Sequence, residues 1–263
     1  SSINIPAPTG YHEISELSPE TFKLASSSTP SQNKLLAVFV SETDLGNIMK
    51  DKPVEFGRYM LLQTYRPIED KTISISAFQK MIDDIERQQE KLTEKAKDKS
   101  NLRMDSASKE LSSYYDITMK MKIGDSVPLG VFDKKDNSMG FAMMTKLKSE
   151  VEGVIVDSIF IGATNFIRVQ NKIVYAYVYA NYQSQDDIEW ARATSKQWAN
   201  EILKANRGNA PVQRSKDSGF LSDIEWSKII PKALASVIVG AFLIIMLAMF
   251  KGLINLIKKK KNT

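Results

Sequence analysis

The chain has 263 residues, enough for one large domain or two small ones, and its hydrophobic content of 43% is that of a folded protein. It contains no cysteine, which excludes zinc fingers, iron–sulfur clusters, thiol catalysis and disulfide bonds. The net charge is +5, but five lysines follow residue 250, and the preceding residues carry 31 basic and 31 acidic side chains. Because nucleic-acid binding needs a basic surface against the phosphates, we predict no nucleic-acid partner.

The first predicted segment is rich in Pro, Ser and Thr and covers residues 1–34. We interpret it as an N-terminal arm on the surface of the domain, with at most a short helix at 20–25. The apolar run 35–40 predicts a central strand of a sheet, and Ser41 and Thr43 then offer N-caps for a short helix that ends near Lys50. Residues 58–65 predict a second strand.

A long amphipathic helix is predicted next, because Ser76 and Gln79 form a capping box and apolar residues follow at helical spacing. The charged stretch that reaches Lys99 is expected to end it. The hydrophobic period then changes to that of strands, which are predicted near 113–123, 127–133, 139–147, 151–162, 165–170 and 172–182. The predicted turns are Gly124-Asp125, Asp133 to Ser138, Ser149-Glu150, Thr164-Asn165 and Gln170-Asn171. Connections this short predict antiparallel neighbours.

A closing amphipathic helix is predicted from Ser184, its N-cap, to about Asn206. Its predicted buried face carries Trp190, Ala191, Thr194, Trp198, Ile202 and Leu203. Residues 35–206 therefore predict an α+β globular domain, an antiparallel sheet of about six to eight strands flanked by helices. Residues 207–228 predict a linker.

One transmembrane helix is predicted at 229–250, because 18 residues from Ala233 to Phe250 carry no charge and roughly 20 residues cross about 30 Å of hydrocarbon. Pro231 suits the first turn, where its missing N–H costs no hydrogen bond. Trp226 suits the membrane interface, and Gly240 is a small residue at which a partner helix could approach. The basic tail 251–263 suits anionic head groups through Lys251, Lys258, Lys259, Lys260 and Lys261.

The lysines after this helix outnumber Lys228 and Lys232 before it, which predicts a cytoplasmic tail and an extracytoplasmic domain. The chain begins Ser1-Ser2, as expected if a leader peptide had been removed. We therefore predict a single-pass inner (plasma) membrane protein with a periplasmic domain. The alternative is a tail-anchored protein whose domain lies in the cytosol.

The last strand, KIVYAYVYANY (172–182), is followed at once by the helix DDIEWARATSKQWANEIL (186–203). With the Pro-rich opening segment, this order of elements resembles the Mog1/PsbP-like fold. The resemblance implies an antiparallel sheet flanked by helices, and a binding or assembly accessory more readily than a catalyst.

The sequence contains no recognisable catalytic, metal or cofactor motif. His12 is the single histidine and lies in the Pro-rich segment, where no neighbouring residue orients it as a catalytic base. The carboxylate clusters, such as Asp133 with Asp136, lack the spacing of metal ligands. We interpret the methionines of the strands as packing residues: Met119, Met121, Met139, Met143 and Met144.

Three alternating tyrosines, Tyr175, Tyr177 and Tyr179, share one face of the last strand. Such rows stabilise sheets, and tyrosines are also enriched in interfaces, so we interpret them as a candidate partner surface. The predicted function is a non-enzymatic, membrane-anchored binding or assembly module of a bacterial cell envelope. Its expected partners are membrane lipid, through the C-terminal helix, and an envelope protein. The alternatives are a membrane-proximal, carboxylate-dependent hydrolase and a tail-anchored cytosolic adaptor.

Overall fold

The structure is a computed structural model that describes residues 2–50, 52, 54, 56–115 and 117–207. Its elements are β1 (Tyr11–Glu13), α1 (Pro19–Ser28), β2 (Asn33–Ser41), α2 (Glu42–Met49), β3 (Arg58–Tyr65), a 3₁₀ turn (Arg66–Ile68), α3 (Ile75–Tyr115), β4 (Met119–Lys135), β5 (Ser138–Val151), β6 (Val154–Val169), β7 (Lys172–Asn181) and α4 (Gln185–Ala205). The predicted transmembrane helix, basic tail and linker lie outside the described residues, apart from Arg207. In the described part of the chain, no helix combines the length and apolar character that crossing a membrane requires.

The seven strands form one antiparallel sheet in the order β1-β2-β3-β7-β6-β5-β4. This confirms the predicted α+β class and the predicted number of strands. The segment 1–34 contributes β1 and α1, and β1 pairs with β2. The strand predicted as central, β2, is therefore one place from the edge of the sheet.

Helices cover both faces of the middle of the sheet. On one face, α3 packs with α1 and α2 over a core that includes Phe78, Ile82 and Tyr177. On the other face, α4 buries Trp198 and Ile202 against neighbouring strands. Strand β7 is buried on both faces, so apolar and aromatic residues run along it without a polar alternation.

The predicted turns at Gly124-Asp125 and Thr164-Asn165 are wrong, because four long strands replace the six predicted ones. The predicted turn at Ser149-Glu150 is misplaced, since both residues belong to β5 and the turn lies at Glu152 and Gly153. Gly124 belongs to an irregular stretch of β4, where the pairing with β5 shifts between Ile123 and Ser126. Asn165 is buried within β6, and its Nδ2 donates a hydrogen bond of 2.7 Å to Ser195 Oγ on α4. The irregular pairing explains Gly124 within β4, and the hydrogen bond to α4 explains Asn165 within β6, although both residue types are typical of turns.

Helix α3 does not end at Lys99 but continues to Tyr115, so that it has 41 residues in all, with one non-helical residue at Gln88. Its first turn is capped by Ser74, whose Oγ accepts a hydrogen bond from the Ala77 N–H at 3.1 Å, and not by the predicted capping box. Past Lys99 the buried side of the helix continues at every fourth residue through Ser100, Met104 and Ser108. Two of these three buried residues are serines, so this half of the helix lacks the apolar pattern on which the prediction depended.

The two helical layers differ in length, and this difference leaves part of one sheet face uncovered. Helix α4 has 21 residues, so it spans about 31 Å. Strand β6 has 16 residues and spans about 53 Å. Helix α3, with 41 residues, spans about 60 Å and packs on the opposite face, mainly against β4. About 20 Å of β4, β5 and β6 therefore extends beyond α4.

Candidate interaction surface

The uncovered part of the sheet is a three-stranded extension, formed by residues 119–127, 145–151 and 154–159. It begins where β7 ends, since Asn181 is the last residue of β7 and pairs with Phe160 of β6. One face of the extension packs against the second half of α3 and is buried there, as at Met121 and Leu147. Over the opposite face, the described part of the chain places no helix.

Four lysines project from this open face, which we call the lysine face: Lys120, Lys122, Lys146 and Lys148. All four are exposed, and they alternate with buried residues along β4 and β5. No carboxylate of a described residue lies within ion-pair distance of any of them. The face therefore carries four ammonium groups that form no ion pair with a described residue.

The register of the strands places Lys122 directly opposite Lys148. Like charges at opposed positions repel and destabilise a sheet. Elsewhere on the face the register opposes lysines to acids, since Lys120 faces Glu150 and Lys148 faces Asp157 on its other side. A repulsive pair kept beside such matched positions is the pattern expected where function overrides local stability.

Gly124 adjoins the lysine face at the irregular stretch of β4. A β-carbon at this position would lie 3.2 Å from Cβ of Lys146, which is closer than ordinary contact. The absence of a side chain therefore leaves Lys146 room to project from the sheet.

Two apolar side chains flank the lysines. Ile155 of β6 is 55% exposed and Val127 of β4 is 48% exposed. Ile155 pairs with Glu150, and Val127 pairs with Met144, which packs into the core beneath α4, so both lie on the open side of the sheet. Exposed apolar groups beside charged ones give the face the mixed composition of a protein-binding surface.

The outer edge of β4 is covered, in contrast to its face. The Ile123 N–H donates to Asn101 Oδ1 at 2.8 Å, and Asn101 Nδ2 donates to the Ile123 carbonyl at 3.3 Å. Nearer the C-terminal end of α3, Ser112 Oγ accepts a hydrogen bond from the Met119 N–H at 3.0 Å and donates one to the Met119 carbonyl at 3.3 Å. These side chains occupy backbone groups that another strand would otherwise pair with.

The three tyrosines of β7 do share one face, but that face lies in the core, so their interpretation as a partner surface is corrected. Tyr175 is 1% exposed, and Tyr177 and Tyr179 are 0% exposed. The rings of Tyr177 and Tyr179 stack at 6.1 Å, and burial beneath α3 raises the pKa of both hydroxyls well above the usual value. Sequence alternation identified the shared face, but it could not show that α3 covers it.

A second polar cluster lies where β3 begins beside α4. Arg58 donates a hydrogen bond of 3.0 Å to Asp187, and its guanidinium lies 4.3 Å from the ring centre of Trp190. The backbone N–H of Gln183 and the Arg58 guanidinium hold the pKa of the Asp187 carboxyl below its usual value. These groups bind one another and fix the start of α4, so we interpret the cluster as structural.

The remaining candidates from the sequence take no part in a shared site. His12 lies in β1, and Met119 and Met143 are buried in the core. Asp133 forms ion pairs with Lys196 at 3.1 Å and Lys135 at 3.4 Å. Among the described residues, no cluster of three or more His, Asp or Glu side chains is arranged to hold a metal ion. The predicted membrane residues lie outside the described part of the chain: Trp226, Pro231, Gly240, Lys251, Lys258, Lys259, Lys260 and Lys261.

A groove of about 640 Å³ lies between the irregular turn of α3 at Gln88 and the β4 residues Pro128 to Gly130. Acidic and basic side chains alternate along its helical wall, and Glu86 there pairs with Lys134 at 2.5 Å. The groove is open to solvent and brings no pair of carboxylates into opposition, so we assign no chemistry to it.

No protein-family model matches the chain, and no curated protein matches it. Among solved structures it is similar to the Ran-binding protein Mog1p of Saccharomyces cerevisiae, at 10% sequence identity and a TM-score of 0.25. The similarity covers 76% of this chain and 84% of that protein. At this TM-score the similarity supports no conclusion about the fold or the function of this chain.

Proposed function

We propose that the chain is a non-enzymatic, membrane-anchored module that binds a partner protein through the lysine face. The observation that carries the proposal is the set of four exposed lysines on the open side of the sheet extension, none of which forms an ion pair with a residue that the structure describes. Two of them, Lys122 and Lys148, oppose each other directly, at a cost that a bound partner would relieve.

The sheet extension is a rigid support for such a contact. Its lysines stand on paired strands, and the face beneath them is fixed to α3 by buried side chains such as Met121 and Leu147. A rigid surface loses little conformational entropy on binding beyond that of the lysine side chains. It is therefore well suited to a protein partner that is recognised by its charge pattern.

The anchor of the proposed module is the hydrophobic segment 229–250, and the excess of lysines after it favours an extracytoplasmic domain. A linker of about 20 residues would join it to the last described residue, Arg207. In this arrangement the domain remains near the membrane while its sheet extension reaches a protein of the cell envelope. The tail-anchored cytosolic adaptor differs from this proposal in topology alone.

The experiment that tests the proposal combines topology with crosslinking in intact cells. Full-length protein with a tag on its lysine tail is treated with protease after mild opening of the outer envelope. We expect digestion of the domain and protection of the tail. Survival of the domain until the membrane is lysed would place it in the cytosol and contradict the extracytoplasmic part of the proposal.

A photo-reactive amino acid at position 146 on the lysine face then tests for a bound protein. The matched control carries the same amino acid at Ala193, an exposed position on α4. We expect a discrete crosslinked product at position 146 that is absent or much weaker at Ala193. Equal products at both positions, or none at either, would refute the lysine face as the binding surface.

A further inference from the structure

We infer that the lysine face binds an acidic protein surface. The inference rests on the proposed function and specifies the chemistry of the partner. Two different counterparts, an acidic protein and an anionic lipid surface, could neutralise exposed lysines, and the structure distinguishes between them in two ways.

The first distinction is the direction in which the chain leaves the domain. At the end of α4, Asn206 Oδ1 accepts a hydrogen bond of 3.1 Å from Gln170 Nε2, and Gln170 lies in the turn between β6 and β7. The tip of the sheet extension, at Glu152 and Gly153, is at the other end of β6. The 16 residues of β6 separate the two ends by about 50 Å. The segment that leads to the predicted anchor therefore departs from the end of the domain opposite the lysine face.

The second distinction is the arrangement of charge on the face. Glu150 and Asp157 lie among the lysines, and the strands hold all of these residues in one register. Near an anionic membrane each lysine contributes about 1 kcal/mol, and acids at the same depth reduce that gain. A protein partner, in contrast, can place acids opposite the lysines and basic or polar groups opposite the acids. The mixed pattern thus favours a protein.

The geometry also indicates where the partner's acids bind. Opposed residues on one sheet face have β-carbons about 5 Å apart, so a single carboxylate between Lys122 and Lys148 can contact both ammonium groups. Its binding would turn the repulsion between them into two attractive contacts. Ile155, exposed at the next strand, then provides an apolar contact at the border of the charged centre.

The test uses the full-length chain in nanodiscs of uncharged phosphatidylcholine, with a fluorescent poly-glutamate peptide as the probe. The test variant is Lys122→Glu/Lys148→Glu. The matched control, Lys23→Glu/Lys95→Glu, makes the same change in net charge at exposed positions on α1 and α3. We expect the test variant to bind the peptide about ten-fold more weakly or worse, because two close charge contacts become repulsive, while the control changes it less than about two-fold. Equal weakening in both variants would show an effect of net charge and overturn the inference.

A neutral variant, Lys122→Gln/Lys148→Gln, guards against misfolding of the charge-reversed protein. It should bind with intermediate affinity and keep the circular dichroism spectrum and unfolding temperature of the parent chain. Unchanged peptide binding by this well-folded variant would also overturn the inference.

A vesicle arm of the experiment separates the two counterparts. The nanodisc-bound protein is mixed with phosphatidylserine-containing vesicles and with phosphatidylcholine vesicles. We expect no preference that depends on Lys122 and Lys148. Vesicle binding that is lost in the Lys122→Glu/Lys148→Glu variant and exceeds peptide binding would replace the acidic protein with a lipid surface.

The proposed function and this inference can fail separately. If position 146 crosslinks a protein in cells and the Lys122→Glu/Lys148→Glu variant leaves that product unchanged, the binding module stands and the acidic partner is wrong. If no crosslinked product forms while the peptide still binds in the predicted pattern, the proposed function fails and the charge recognition stands.

Discussion

Replacement of Asn101 by alanine tests whether α3 protects the edge of the sheet. The Asn101 side chain forms two hydrogen bonds with the backbone of Ile123, of 2.8 Å to its N–H and 3.3 Å to its carbonyl. The loss of both bonds from a partly buried strand edge costs about 1–3 kcal/mol. Alanine is the better helix former by roughly 0.6 kcal/mol, which offsets part of that cost. We expect a net loss of about 1–2 kcal/mol in the free energy of unfolding.

The measurement is thermal unfolding together with amide hydrogen exchange. For a domain of this size the loss corresponds to a fall of about 2–8 °C in the unfolding temperature. The amide of Ile123 should exchange faster, and the matched control Glu94→Ala, at an exposed position of α3, should change neither quantity. An exposed strand edge also favours pairing between chains, so light scattering should detect association that depends on concentration. An unchanged unfolding temperature with unchanged exchange at Ile123 would refute the role of Asn101.

The remaining predictions concern stability at single positions. Tyr177→Phe should leave the free energy of unfolding unchanged or raise it by up to about 2 kcal/mol, because the buried Tyr177 hydroxyl has no hydrogen-bond partner among the described residues. A clear loss of stability in urea unfolding would show that this hydroxyl does form a hydrogen bond. Gly140→Ala should lower the free energy of unfolding by about 1–3 kcal/mol, since a β-carbon there would lie 2.4 Å from the Phe132 ring. The control Gly46→Ala, within α2 and with open space around it, should not destabilise the protein. Asp187→Asn should reduce the loss of stability in acid. The lowered pKa of the Asp187 carboxyl in the folded protein stabilises the fold above about pH 4, and that contribution disappears as the pH falls through the folded-state pKa. Identical acid unfolding curves of the two proteins would contradict this.

The sequence predicted elements well where a local signal coincides with a structural boundary. The predicted strand 58–65 agrees with β3 at both ends. Of the two predicted N-caps, Ser41 and Thr43, the one that caps α2 is Ser41, because its Oγ accepts a hydrogen bond from the Asp44 N–H at 3.1 Å. Gln170 and Asn171 form the predicted turn, with φ angles of 47° and 64°. In each case the deciding contact lies within a few residues of the signal.

The errors occur where contacts distant in sequence decide the structure. Asn165 indicates a turn by composition, but Ser195, thirty residues further on, satisfies its amide inside the strand. Helix α3 extends past Lys99 because Asn101 and Ser112 bind the backbone of β4. Neither bond leaves a periodic pattern in the sequence.

The candidate surface could be predicted in part. The runs MKMKI (119–123) and TKLKS (145–149) alternate lysine with apolar or small residues, which places the lysines on one face of each strand. Whether that face is open depends on the length of α4 relative to the strands. Because the prediction divided the four long strands into six short ones, it did not show that the strands are longer than α4. The same limitation explains the tyrosines of β7, which were assigned to one face correctly and to the surface wrongly.

The simplest alternative to a binding role is that the lysines merely keep an uncovered sheet face soluble. Lys122→Glu distinguishes the two, because it replaces the repulsion with Lys148 by an attraction across the β4–β5 pair. Both explanations predict a gain in stability of about 0.2–1 kcal/mol, measured by urea unfolding. Solubility alone gives no reason for a loss of binding, since the variant retains a charged residue at every position of the face. A binding surface predicts that the more stable variant forms less crosslinked product at position 146 and binds poly-glutamate more weakly. A gain in stability with undiminished binding would show that the opposed lysines have no role in recognition.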